Sequence, residues 1–232
     1  MPGSSAGRPF VGVTVRNLVR GAVVVLAVAL VGAGCAAPSE TGGAAEVTVA
    51  GGSGPYRGTE LDGRYRLPST ELKDTQGRPF DLAEDTRRPV TLVFFGYTSC
   101  PDVCNIVLAN MASALRRAGQ VARHEVDMVF VTSDPQRDTP PVIREYLDRF
   151  DPSFVGLTAR MRTIRKTADT LGVALTGKVD HGSEQASGYE VGHGTQVVAY
   201  GRDDRSILVW TADTAVADLR ADIRELTQRA TG

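Results

Sequence analysis

The sequence predicts an α/β domain over residues 61–232, a central mixed sheet with helices on both faces. Three observations carry this. "PVTLVFFGY" (89–97) and "VDMVFVTSD" (126–134) are unbroken apolar runs rich in β-branched and aromatic residues, the pattern of strands buried on both faces. Each is followed by a stretch with helical spacing. Near the end, "TQVVAYGRDDRSILVW" holds two apolar runs split by a polar turn at 202–205, which reads as a β-hairpin.

The elements follow in order. "RYRLPSTELKDTQGRPFDL" contains a turn at "DTQGRPF" between two short strand candidates. After the first buried strand, Val103, Ile106, Val107, Met111, Ala114 and Leu115 recur at helical spacing and Gly119 closes the helix. "DTPPVIREYLDRF" follows the second strand, with Asp138 and Thr139 as cap candidates and proline in the first turn. "TARMRTIRKTADTLGV" reads as another helix, ending near Gly172. After the hairpin, "AVADLRADIRELTQRA" places Val216, Leu219, Ile223 and Leu226 on one face of a closing helix. Strand–helix–strand units need right-handed crossovers and parallel pairing, and the hairpin adds antiparallel strands. A βαβ half followed by a ββα half, with helices on both faces, is the thioredoxin-like arrangement.

Ahead of this domain the composition changes. Residues 1–34 contain Arg8, Arg16 and Arg20 and no acid, then the aliphatic run "GAVVVLAVALVGA" (21–33). That is the layout of a secretory signal, and the run is short of the ~20 residues of a spanning helix. "VGAGCAAPSETGG" resembles a bacterial lipoprotein signal, which implies lipidation of Cys35; Gly32 stands where such signals usually carry an aliphatic residue. An uncleaved N-terminal anchor is the alternative. Residues 35–60, rich in Gly, Ser, Ala and Thr, read as a flexible tether. Plain cleavage is the third version; all three place the folded part outside the cytoplasmic membrane, and the two anchored ones on its outer face. Without its first 34 residues the chain has 23 basic against 27 acidic residues, which argues against a nucleic-acid partner.

Of three cysteines, two form a close pair: Cys100 and Cys104, where the first buried strand gives way to its helix. One helical turn separates their Cβ atoms by about 5–6 Å, more than the roughly 3.5–4.5 Å of a disulfide. A bridge therefore needs local adjustment, and a shared metal ion is geometrically easier. A helix N-terminus lowers thiol pKa, so thiolates are expected here. Two thiolates leave a soft metal in want of a third ligand. His124 and His181 read as loop residues and Met111 as core. His193 lies between Gly192 and Gly194 just before the hairpin, at the loop that faces the cysteine helix in a thioredoxin-like arrangement. By ligand type, Cu(I), Cu(II) and zinc all remain open.

Three segments together resemble the Sco/SenC family of copper-binding assembly proteins for cytochrome c oxidase. "FFGYTSCPDVC" is similar to its F-G-[YF]-T-x-C-P-x-x-C core, "VTSDPQRDTPPVIREYLDRF" to its strand, [ST]-x-D-P-x-R-D-T-P and helix, and "YEVGHGTQVVAY" to its Y-x-V-x-H-[ST] segment. The resemblance implies one copper ion per chain, Cu(I) or Cu(II), held by Cys100, Cys104 and His193. It also implies a metallochaperone serving the dinuclear copper site of an oxidase subunit, or else a thiol–disulfide oxidoreductase using Cys100 and Cys104 on that site. Asn105 departs from a proline of the pattern, Gly192 from an aspartate, and Gly194 from a Ser or Thr. Asp138 and Arg137 are expected to form a local ion pair, and Asp102 to tune the cysteines or lie solvated.

Overall fold

The structure, a computed structural model, describes residues 54–175, 178–179, 190–191 and 194–231. In chain order its elements are β1 (Thr59–Glu60), β2 (Glu71–Asp74), β3 (Pro79–Asp81), α1 (Leu82–Asp85), β4 (Val90–Gly96), α2 (Val103–Ala118), α3 (Gln120–His124), β5 (Val126–Thr132), α4 (Pro140–Asp148), β6 (Val155–Thr158), α5 (Met161–Thr170), β7 (Lys178–Val179), β8 (Glu190–Val191), β9 (Val197–Tyr200), β10 (Ser206–Trp210) and α6 (Val216–Thr231).

Eight strands form one sheet in the order β1-β10-β9-β4-β5-β6-β2-β3; β7 and β8 pair separately. The pairs β4–β5 and β5–β6 are parallel, and β9 lies antiparallel to β4 with Val197 opposite Phe94. The sheet is therefore mixed, and the expected thioredoxin-like core is present as β4–α2–β5 and β9–β10–α6.

Every residue of β4 is buried, because the pleat feeds both cores in alternation. Val90, Leu92 and Phe94 join α2, α4 and α6 in one cluster, while Val93 and Phe95 join α5 and Leu72 in the other. β5 divides likewise, Met128 and Phe130 against Val129 and Val131. α2 starts and stops where the spacing put it, and Gly119 follows it at φ +105°, a conformation costly for any residue with a Cβ.

Three features differ from the sequence reading. β6 was not foreseen: four residues with Gly156 in their midst give too little pattern to read. The glycine is required, since a Cβ there would lie 2.4 Å from Ile143 Cγ2 of α4. The polar linker around His124 is a short helix, with His124 exposed at its end. The fold also begins before Leu61, inside the stretch read as tether. The backbone N–H groups of Arg57 and Gly58 donate to Asp222, each at 2.8 Å, the ring of Tyr56 packs on the core under Arg229, and β1 pairs with β10. Cys35 and the signal segment lie outside the described residues, and among the described residues no helix is long and apolar enough to cross a membrane.

Candidate metal and thiol site

β4 ends at Gly96, and the chain turns through Tyr97–Cys100 into α2. The Cys100 N–H donates to the Tyr97 carbonyl at 3.2 Å, closing the turn. Cys100 precedes the helix and Cys104 is its second residue. Asp102 stands at the N-cap, exposed, and makes no capping hydrogen bond. Cys100 Sγ takes over part of that role by accepting the Cys104 N–H at 3.4 Å, so it faces the positive end of α2.

Cys100 and Cys104 are both reduced thiols and both buried, Cys104 completely. Their side chains touch. The hydrogen bond to Cys100, and then burial, push the Cys104 thiol well above its ordinary range. For Cys104 this corrects the expected thiolate: the helix terminus is outweighed because the proton is shared with a neighbouring sulfur in a dry site. A metal or an oxidant must displace that proton. Gly96 makes room for the arrangement, since a Cβ there would stand 3.0 Å from Cys104 Sγ and from the rings of Phe94 and Phe130.

Asp138 holds the turn from behind. Its carboxylate accepts the Thr98 N–H at 3.0 Å, the Thr98 hydroxyl at 2.6 Å and the Thr132 hydroxyl at 2.5 Å. This ties the residues just before Cys100 to the end of β5. Burial raises the Asp138 carboxyl above its usual range, against the pull of the two threonines. The expected Arg137–Asp138 pair is therefore corrected: Arg137 pairs with Asp134, and its guanidinium lies 5.9 Å from the centre of the Tyr97 ring. Asp138 faces inward because three donors meet it there. Thr139 takes the N-cap position of α4 but its side chain makes no cap bond. The sequence signal for this clamp was the string "SDPQRDTP", which reads equally well as strand end and helix cap.

A second set of contacts approaches from α4. The Tyr146 hydroxyl donates to Asn105 Oδ1 at 3.1 Å, and Asn105 Nδ2 donates to the Cys100 carbonyl at 3.5 Å. Burial, and then the closeness of Cys104 and Cys100, push the Tyr146 phenol upward. Sequence reasoning did not single out Tyr146; its place on the buried stripe of α4 made it core.

His193 and His181 lie outside the described residues, and Met111 is core as read. The described chain resumes at Gly194 and enters β9 at Val197, opposite Phe94, near the end of β4 that leads to the cysteine turn. A Cβ at Gly194 would stand 2.5 Å from Val173 Cγ1, so the glycine lets the chain pass close to Val173. Among the described residues no three Cys, His, Asp or Glu side chains gather as a metal cluster. The donor set here is two adjacent soft sulfurs, suited to Cu(I) or zinc, with the nearby carboxylates of Asp134 and Asp138 already engaged.

A thioredoxin-like sheet with a thiol pair at the strand-to-helix junction defines a protein that handles metals or disulfides. More specifically, the chain belongs to the SCO1/SenC family, whose model matches residues 60–228. It is 41% identical to Protein SenC of Rhodobacter capsulatus over 91 residues, 35% of this chain and 41% of that one. Among solved structures it is similar to Bradyrhizobium japonicum ScoI with copper bound, at 29% identity and a TM-score of 0.60, covering 69% of this chain and 98% of that one. It is also similar to apo Sco1 of Thermus thermophilus, at 31% identity and a TM-score of 0.64, covering 74% and 96%. The first curated relatives it matches are spanned over 65% and 47% of their own lengths.

Proposed function

We propose that this protein is a copper chaperone, tethered through lipidated Cys35 or an N-terminal helix to the outer face of the cytoplasmic membrane. It binds one copper ion through Cys100, Cys104 and His193 and helps assemble the dinuclear copper site of cytochrome c oxidase. The observation that carries this is the pair of touching, buried, reduced thiols at the start of α2, in a family where a relative at 29% identity is solved with copper. His193 directly precedes Gly194, from which the chain enters the sheet near the cysteine turn.

Cys100 presents its sulfur at a helix terminus. Cys104 gives up its proton on metal binding, and the Asp138 clamp keeps the turn in place meanwhile. Closing a Cys100–Cys104 disulfide removes both sulfurs from the metal, so cargo binding and thiol oxidation exclude each other.

The test is copper loading of reduced wild type and His193→Ala, with metal content and sulfur ligation read by X-ray absorption. We expect one sulfur-ligated copper per chain, bound at least about 10-fold more weakly in the variant, as for loss of a ligand or its support. Equal affinity would remove His193 from the site. The second reading, a thiol–disulfide oxidoreductase acting on the oxidase cysteines, is favoured by the contact between the two thiols. In a deletion strain it predicts rescue of the oxidase by a reductant and none by added copper.

A further inference from the structure

Asn105 has no place in the proposed function, and it stands where the family pattern has proline. A proline there has no side-chain donor or acceptor. The asparagine uses both ends of its amide, Nδ2 toward the Cys100 carbonyl at 3.5 Å and Oδ1 toward the Tyr146 hydroxyl at 3.1 Å. A donor at one end and an acceptor at the other fix which way the amide points.

Tyr146 is a firm support. It is 1% exposed. Its ring lies 5.8 Å from that of Phe130 and 5.3 Å, edge-on, from that of Phe150, with the Arg149 guanidinium 4.8 Å from its centre. α4 thus carries a rigid hydroxyl to the first turn of α2, and Asn105 extends its reach to the backbone of Cys100.

We propose that Tyr146 and Asn105 are positioning residues that brace Cys100 in its reduced place and so set the balance between the dithiol and the disulfide. In the dithiol, Cys100 Sγ accepts the Cys104 N–H. To close the disulfide, Cys100 has to leave that amide and approach Cys104 Sγ, because two thiols in hydrogen-bond contact stand farther apart than the roughly 2.05 Å of an S–S bond. A brace on the Cys100 carbonyl opposes the movement. The inference concerns the thiol pair itself, so it holds under either reading of the function.

The reaction to follow is exchange with glutathione: the two thiols and one glutathione disulfide give the Cys100–Cys104 disulfide and two glutathione thiols. Two electrons and two protons pass from the protein to glutathione. The full chain is equilibrated in glutathione buffers as wild type, Tyr146→Phe, Asn105→Ala and the double variant. Tyr146→Phe removes only the hydroxyl, and its ring still fills the core. Each single variant is expected to favour the disulfide by about tenfold, about 30 mV lower in reduction potential. The double variant is expected to match the singles, because both changes cut the same chain of contacts.

Thermal unfolding of the reduced proteins provides the control. A merely structural role lowers the melting temperature of Tyr146→Phe and leaves the exchange equilibrium within about twofold of wild type, and that result overturns the proposal. A double variant whose shift equals the product of the two singles, on the order of a hundredfold, overturns it as well, since independent sites add in free energy.

Discussion

Two buried carboxylates do similar work at two places in this molecule. Asp138 collects three hydrogen bonds behind the cysteine turn, from the backbone and hydroxyl of Thr98 and the hydroxyl of Thr132. Asp222, on α6, collects three at the entry to the domain, from the N–H groups of Arg57 and Gly58 and from the Trp210 indole, all at 2.8 Å. Among the described residues neither carboxylate has an ion pair; neutral donors satisfy both. The difference lies in what is held. Asp222 fixes the segment that precedes the first strand of the sheet. Asp138 fixes Thr98, two positions from a proposed metal ligand, and ties it to Thr132 at the end of β5. The same device serves assembly in one place and site geometry in the other, which makes the two separable by mutation.

The largest effect on the fold is expected at Asp222. Replacing it with alanine leaves the buried Trp210 indole N–H and the part-buried N–H groups of Arg57 and Gly58 without this acceptor, and urea unfolding should show a loss of about 3 kcal/mol. Copper affinity of the folded fraction should stay within about twofold, because independent sites add. A wild-type unfolding curve would mean that the entry segment is not clamped there. Asp138→Ala is expected to cost less stability, about 2 kcal/mol, because the two threonine hydroxyls can rotate to new acceptors. Its copper affinity should fall about 10–100-fold, as when support behind a ligand is removed. If both variants bound copper equally well, the contrast between the clamps would disappear.

The smallest effect is a pH dependence particular to Asp138. Burial raises its carboxyl above the ordinary value of 3.8 in the folded protein. The folded state therefore binds this proton more tightly than the unfolded chain does. The stabilisation is complete below the ordinary carboxyl value and is lost as pH rises through the raised one, at no more than about 1.4 kcal/mol per pH unit for one proton. Asp138→Asn cannot ionise. The stability difference between wild type and this variant should change across that window and level off above it. Denaturant midpoints taken in steps from about pH 4 to about pH 8 check this, and a constant difference would place the Asp138 carboxyl at its ordinary value.

Much of the fold was legible beforehand. β4, β5, α2, α4, α5, α6 and the β9–β10 hairpin all have runs long enough to show period two, period 3.6 or continuous burial. β6 was not, because its four residues include Gly156 and its strand character comes from partners in β5 and β2. The site divides in the same way. The cysteine pair could be read from its position at a strand-to-helix junction, while Asn105 was visible only as a departure from a pattern and Tyr146 only as an apolar-face residue.

The sequence by itself determined the alternation of buried strands and amphipathic helices and the place of Cys100 and Cys104 at the end of the first buried strand. Those features depend on residues two to four positions apart, so local spacing encodes them. Only the tertiary structure decided the partners of the two aspartates, the contact with Cys100 that pushes the Cys104 thiol upward and the approach of Tyr146 to the cysteine turn. Asp138 reaches back 40 residues to Thr98, Tyr146 reaches back 41 to Asn105, and Asp222 reaches back 164 to Gly58. A carboxylate or a hydroxyl takes whichever partners packing brings to it, and burial then sets how firmly it holds its proton.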